Sequence, residues 1–242
     1  MVEAGLYAQG GVGYNDPTMI NSPTNPWHHT LARRVMAAVI LVAIAALAPI
    51  HAEAQGMVNL SKSETADVAR IQVYLNSLRT LSSRFLQVSS EGDYSEGTLS
   101  FSKPGKMRLE YDDPNPTLLV SDGVNLAYFD KELKQVSYFD LQATQASILL
   151  SENISFSAGE TNLTAFERGP GVLRLTVIKG SDPLEGNMTM IFSDKPLSLK
   201  KWTITDAQGI VTNISLVNPR FGAPVSQKLF TLELPDKILE NN

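Results

Sequence analysis

The sequence predicts a mainly β domain of the α+β class: one antiparallel sheet of about eleven strands, with two or three short helices across its concave side. Three observations predict it. From Arg84 onward, short segments alternate apolar and polar side chains with period two. Turn residues punctuate them at short intervals, and such connections suit only antiparallel neighbours. A sheet of that many strands with one apolar face must curl or split to cover it, and so few helices can cover it only as a lid.

The elements follow in order. Ser61-Lys62-Ser63-Glu64 fits a capping box with Ser61 as N-cap. Val68, Ile71, Leu75 and Leu78 then recur at helical spacing, opposite Asp67, Arg70 and Asn76, which predicts an amphipathic helix from Glu64 to Leu81. Predicted strands come next at Arg84–Ser90, Ser95–Ser102, Lys106–Tyr111, Thr117–Ser121, Asn125–Asp130 and Gln135–Tyr138. Turn signals separate them at Glu91-Gly92-Asp93, Pro104-Gly105, Asp113 to Pro116, Asp122-Gly123 and Asp130-Lys131. Residues 143–150, ATQASILL, read as a short helix, and the stretch to Arg168 as loop with room for a second one. Strands resume at Val172–Lys179, Asn187–Phe192, Leu197–Thr205, Ile210–Leu216 and Leu229–Leu234. No repeat or linker interrupts this series, so it forms one domain.

The stretch FSKPGKMRLEYDDP, residues 101–114, shows the two faces of the sheet. Lys106, Arg108 and Glu110 alternate with Met107, Leu109 and Tyr111, so the first set is expected to face water and the second to face inward. The same reading points Leu99, Phe101, Leu126, Tyr128, Val136, Met188, Met190, Phe192, Trp202 and Ile204 inward. Alternation alone is compatible with a packed core or with the wall of an apolar pocket. Met107, Met188 and Met190 suit either, because an unbranched thioether fills core gaps and adapts to variable ligands alike.

The 242 residues carry a formal charge of −5, a poor match for nucleic acid or an anionic membrane surface. No cysteine is present, and the histidines, His28, His29 and His51, all precede the predicted domain. Disulfides, thiolate metal sites and cysteine nucleophiles are excluded, and the domain lacks its most usual general base. Arg33-Arg34, an apolar run from Val35 to Leu47, Pro49 and the small residues of Ala52-Glu53-Ala54 have the layout of a secretory signal peptide cleaved after Ala54. The run is shorter than the ~20 residues of a spanning helix. The expected organisation is therefore a disordered extension or mis-assigned start over 1–32, a signal peptide over 33–54 and an exported domain over 55–242.

Enzyme readings are weak. Ser100-x-x-Lys103 and Ser198-x-x-Lys201 have a serine–lysine spacing that needs a helix N-terminus, and both fall in strand-and-turn sequence. Glu91, Asp93, Glu96, Asp112 and Asp113 offer carboxylate pairs, but at turn tips where solvated charge is ordinary. No catalytic residue, metal site or cofactor is expected.

Taken in order, several segments resemble the periplasmic outer-membrane lipoprotein carrier proteins of the LolA type. They are Arg84-Phe85-Leu86-Gln87, Gly97-Thr98-Leu99, Phe101 to Arg108, Glu110-Tyr111 with Pro114, Val120 to Gly123, Tyr128, and Phe230 to Pro235. The resemblance implies an unclosed antiparallel β-barrel under a helical lid, with an acyl-binding cavity between them. It implies lipid contact by Leu99, Phe101, Met107, Leu109, Tyr111, Leu126, Tyr128, Met188, Met190 and Trp202. It assigns Ile71, Leu75, Leu78, Ile148 and Leu149 to the lid and Lys103 to its gate. The implied partners are acylated lipoproteins, an ABC-type release complex of the inner membrane, and an outer-membrane receptor or that membrane itself. The implied carrier is a monomer. Two positions depart from the family's pattern: Lys103 stands where arginine is usual, and Leu109 where tryptophan is frequent. A carrier or sensor of another lipid, such as a glycolipid or free lipid, needs the same apolar cavity and stays open on the sequence.

Overall fold

The computed structural model describes residues 58–156 and 160–234. The predicted extension, signal peptide and cleavage point lie outside the described residues.

Helix α1, Lys62–Ser77, opens on the predicted capping box. The Glu64 N–H donates to Ser61 Oγ at 3.3 Å, and the Ser61 N–H donates to Glu64 Oε2 at 2.8 Å. The helix ends before the predicted Leu81 because Leu78 is extended, at φ −73° and ψ 105°. Leu78 and Leu81 are both buried, Leu78 past the end of the helix and Leu81 on the first strand, so their three-residue spacing mimicked another helical turn.

Eleven strands form one sheet: β1 Thr80–Ser89, β2 Tyr94–Ser102, β3 Lys106–Tyr111, β4 Thr117–Asp122, β5 Asn125–Asp130, β6 Gln135–Asp140, β7 Thr161–Gly169, β8 Val172–Lys179, β9 Asn187–Ser193, β10 Ser198–Thr205 and β11 Val211–Phe221. The strand order is β6-β5-β4-β3-β2-β1-β11-β10-β9-β8-β7, with every neighbour antiparallel. Two meanders thus join where β1 pairs with β11. β6 and β7 remain as unpaired edges, so the barrel is unclosed. Between them in sequence lie a 3-10 turn, Leu141–Ala143, and the one-turn helix α2, Ala146–Leu150, in place of the single helix expected over 143–150.

The eleven strands are not quite the eleven expected. β7 forms where the sequence predicts loop with room for a short helix. A register shift between Leu163 and Ala165 breaks its period, so the core-packed Leu163 and Phe166 stand three apart, a helical spacing. The expected last strand, Leu229–Leu234, does not form. Gln227–Phe230 is a 3-10 turn, and Leu232 and Leu234 pack with Leu118, Val120 and Phe129 on the convex face of the sheet. Their alternation has a strand's period, but the segment lies on a face, away from either free edge.

Two facing assignments change with it. Val136 belongs to this convex cluster, beside its pair partner Phe129, and does not point inward. The charged face of β3 is partly covered as well. Lys106 Nζ donates to Gln227 at 2.9 Å, and Arg108 donates to the Leu229 carbonyl at 3.4 Å.

The main core lies between the helices and the concave face. α1 sits over the second meander. Ile71 and Leu75 are fully buried with Leu173, Leu175, Phe192 and Leu199. The Tyr74 ring meets Phe192 and Phe221 edge-on, and its hydroxyl accepts from the Leu199 N–H at 3.0 Å.

Candidate functional site

The concave face of the first meander is only partly filled. A chamber of about 310 Å³ lies between it and α2. Strand alternation supplies the wall: Leu99 and Phe101 of β2 stand opposite Leu109 and Met107 of β3, and Leu109 in turn opposite Leu119 of β4. Leu126 of β5 extends the wall, and Met188, Trp202, Ile204 and Ile214 close the far side. Ala146, Leu149 and Leu150 of α2 make the roof. The polar members of the lining are Gln87, Tyr111, Asp206 and Thr212.

Gly97 explains how Tyr111 reaches into this space. It lies on β2 between Phe85 of β1 and Tyr111 of β3. A Cβ there would stand 2.1 Å from the Glu110 carbonyl oxygen and 2.7 Å from the Phe85 ring. Without it, the Tyr111 ring crosses β2 and meets Phe85 edge-on, with centroids 5.2 Å apart. Its hydroxyl donates to Gln87 Oε1 at 2.7 Å. Burial pushes the Tyr111 phenol up to about 12, against the opposing effect of Gln87, so it remains a neutral donor at physiological pH.

At the other end of the chamber the β2–β3 turn touches both helices. Lys103 Nζ donates to the Leu75 carbonyl at 3.0 Å, in the last turn of α1, where the helix leaves its carbonyls unsatisfied. The Gly105 N–H donates to the Leu150 carbonyl at 2.9 Å, at the end of α2. Gly105 has φ +72°, and a Cβ on it would fall 2.6 Å from Gly123, so glycine alone suits this turn. Lys103 is 8% exposed. Burial, and then the nearby Arg79 charge, lowers its ammonium to about 8.

α1 is also tied to the segment that follows α2 and to the sheet. Asn76 of α1 donates to the Ile154 carbonyl at 3.0 Å and accepts from the Ile154 N–H at 2.8 Å; Gln72 accepts from the Phe156 N–H at 3.2 Å. Nearer its N-terminus α1 is held by charge. Arg70 bridges Asp67 at 2.9 Å and Asp194 at 2.5 Å, and Arg168 of β7 pairs with Asp67. The Arg70 guanidinium holds the Asp194 carboxyl below its usual range.

Of the residues expected to contact lipid, Leu99, Phe101, Met107, Leu109, Tyr111, Leu126, Met188 and Trp202 line the chamber. Met190 is fully buried in the packed core outside this lining, and Tyr128 is 38% exposed with its hydroxyl 3.4 Å from Thr117 Oγ1. Of the residues expected in the lid, Leu149 lines the chamber; Ile71, Leu75, Leu78 and Ile148 are buried in the core around it. Gln87, Leu119, Ala146, Leu150, Asp206, Thr212 and Ile214 also line it and were not anticipated. The period of β1, with Leu81, Ser83 and Phe85 buried in alternation, does place Gln87 on the inner face; its polar side chain hid it.

The carboxylates considered for catalysis are partly neutralised, since Arg84 pairs with both Glu96 and Asp112. Among the described residues no group of three or more His, Cys, Asp or Glu side chains could hold a metal ion.

Comparison with known proteins adds the following. The family model described as outer membrane lipoprotein carrier protein LolA matches residues 76–233. The outer-membrane lipoprotein carrier protein of Pseudomonas aeruginosa strain UCBPP-PA14 is 29% identical over 194 residues, spanning 77% of this chain and 92% of its own length. That of Methylococcus capsulatus is 28% identical over 189 residues, spanning 72% and 87%. Among solved structures, the LolA superfamily protein NE2245 from Nitrosomonas europaea aligns at a TM-score of 0.40 and 12% identity, over 68% of this chain and 97% of that one.

Proposed function

The chain belongs to the family of outer membrane lipoprotein carrier proteins, and from that premise we propose that it carries lipoproteins across the periplasm with their acyl chains in the chamber between the first meander and α2. The observation that supports this use of the chamber is its make-up: an apolar wall whose roof is a single helical turn. Lipid contact falls to Leu99, Phe101, Met107, Leu109, Leu126, Leu149 and Trp202. Export through the N-terminal leader places the protein in the periplasm.

The physical need is plain. Withdrawing an acyl chain from a bilayer costs about 0.8 kcal/mol per methylene, so two or three long chains do not leave unaided. A chamber that re-covers them removes most of that cost. It must also release them, which a movable roof allows. The roof over the chamber of about 310 Å³ is a single helical turn, so a shift of that turn is the simplest way to admit and release chains.

Lys103 and Gly105 are two of the contacts through which the sheet holds the lid, and Lys103 is its gate. A lysine makes a point contact with the Leu75 carbonyl and lacks the planar fork of arginine. Cargo comes from an ABC-type release complex of the inner membrane and passes to an outer-membrane receptor or to that membrane directly. Carriage of this kind involves no bond making or breaking.

The test is a release assay. Purified residues 55–242 are added to spheroplasts making a labelled triacylated lipoprotein destined for the outer membrane. A soluble one-to-one complex in the supernatant is the expected result. Folded protein that yields no complex overturns the lipoprotein reading, and lipid extracted from the protein as isolated from cells then identifies the cargo.

A further inference from the structure

Gln87 lies on the inner face of β1, level with Ser95 of β2 and Ile214 of β11, and beyond Phe85 toward the end of the strand away from the β2–β3 turn. Its Oε1 accepts from Tyr111. Its Nε2 makes no protein hydrogen bond among the described residues, so the amide keeps donors for a ligand. Below it toward Phe101 and Met107 the wall is apolar. The chamber thus runs from hydrocarbon at the end near the β2–β3 turn to a hydrogen-bond donor at the other.

A chain that enters tail first has the same polarity. Its methylenes lie along Leu99, Leu109 and Met107, and its carbonyl arrives at Gln87. We propose that Gln87 is a specificity residue that donates from its amide to the ester or amide carbonyl at the root of an acyl chain, with Tyr111 as the positioning residue that orients the amide. The assignment rests on the carrier reading and narrows its ligand class. The lining carries the Asp206 carboxylate and no lysine or arginine. A free fatty acid would bring a second negative charge into a space without a cation, whereas an esterified chain brings a neutral carbonyl. Esterified or amidated chains are therefore accepted, and free carboxylates are disfavoured.

Three probes test this by titration against the folded protein: a diacylglyceryl-cysteinyl peptide, its dialkyl ether analogue without ester carbonyls, and palmitate. The wild-type protein should bind the ester about tenfold more tightly than the ether, the scale of one neutral hydrogen bond. Palmitate should bind more weakly than the ester. Gln87→Leu should lower ester affinity to the ether's level and leave the ether unchanged. Tyr111→Phe, which keeps the ring on Phe85, should lose part of the preference. A wild-type ester-to-ether ratio near one overturns the proposal without any variant, as does a preference that survives Gln87→Leu or palmitate binding as tight as the ester. Wild-type protein that is folded and binds neither ester nor ether overturns the carrier reading itself, and the assignment of Gln87 falls with it.

Discussion

The two meanders of the sheet carry the same alternation and end differently. On the second, Leu173, Leu175, Met190, Phe192 and Leu199 are completely buried. On the first, Leu99, Met107, Leu109 and Leu126 border a chamber. The difference lies in what covers them. α1 is 16 residues long and lays Ile71, Tyr74 and Leu75 across its meander. α2 is 5 residues long and offers Ala146, Leu149 and Leu150. One helical turn cannot fill the space that four turns fill. An apolar strand face is thus core or binding wall according to the element laid on it, and the two methionines of β9 show the boundary: Met188 lines the chamber, while Met190 is buried beyond it.

Substitutions can break this comparison. Leu109→Glu should abolish acyl binding while circular dichroism still reports a folded sheet, because the carboxylate lies at the chamber wall and hydrates there when the chamber is empty. Normal acyl binding by that variant would mean that the strand face is wrongly assigned. Phe192→Ala, in the packed half, should instead cost about 3–5 kcal/mol of stability in urea unfolding. A much smaller loss would show that the second meander is not the solid half.

Gly97→Ala lies between these extremes. Its Cβ would stand 2.1 Å from the Glu110 carbonyl oxygen and 2.7 Å from the Phe85 ring, so β2 and β3 must part and Phe85 must shift. The expected cost is about 1–3 kcal/mol, read by thermal unfolding, together with loss of the Tyr111–Gln87 hydrogen bond.

The smallest effect concerns the tie between sheet and lid. The Lys103 ammonium is lowered from 10.5 to about 8 when buried against α1. The closed form then binds fewer protons than a form with Lys103 in water over the window between those values. Closure should therefore strengthen as pH rises from about 8 to 10.5 and be flat below about 8. A label on Val73→Cys, in a chain that has no cysteine of its own, reports the motion of α1. Lys103→Arg should tighten closure through added hydrogen bonds to the helix-end carbonyls and abolish the pH dependence, because guanidinium does not lose its proton. A pH response that persists in Lys103→Arg assigns the titration to another group. The charged anchor of α1 works at the opposite end of the scale. The carboxyl of Asp194 is lowered, so its contribution is present above the ordinary carboxylate range and is lost as pH falls through the lowered value.

Much of the fold was legible because its signals are local. Turn residues and period two placed β3, β5 and β8 at their observed ends, and the Ser61–Glu64 box placed the start of α1 to within two residues. Signals failed where the backbone departed from a single period. The irregularity in β7 turned a strand's spacing into a helix's, and Leu232 and Leu234 alternated like a strand on a surface that offers no free edge.

The candidate site divides in the same way. Leu99, Met107, Leu109 and Trp202 could be read as inward because a pleated strand sends alternate side chains to one face. That they bound a space, while Met190 and Phe192 do not, could not be read, because alternation records which side a residue faces and nothing of what stands across from it. The hollow depends on helix length and placement. The Tyr111–Gln87 contact depends on the missing side chain of Gly97 between two strands, and the tie of Lys103 to Leu75 on a turn brought beneath a helix end 28 residues earlier. Each joins residues distant in the chain, so side-chain chemistry and period alone determined the strands and their faces, and the packing of elements against one another determined where the molecule is left empty.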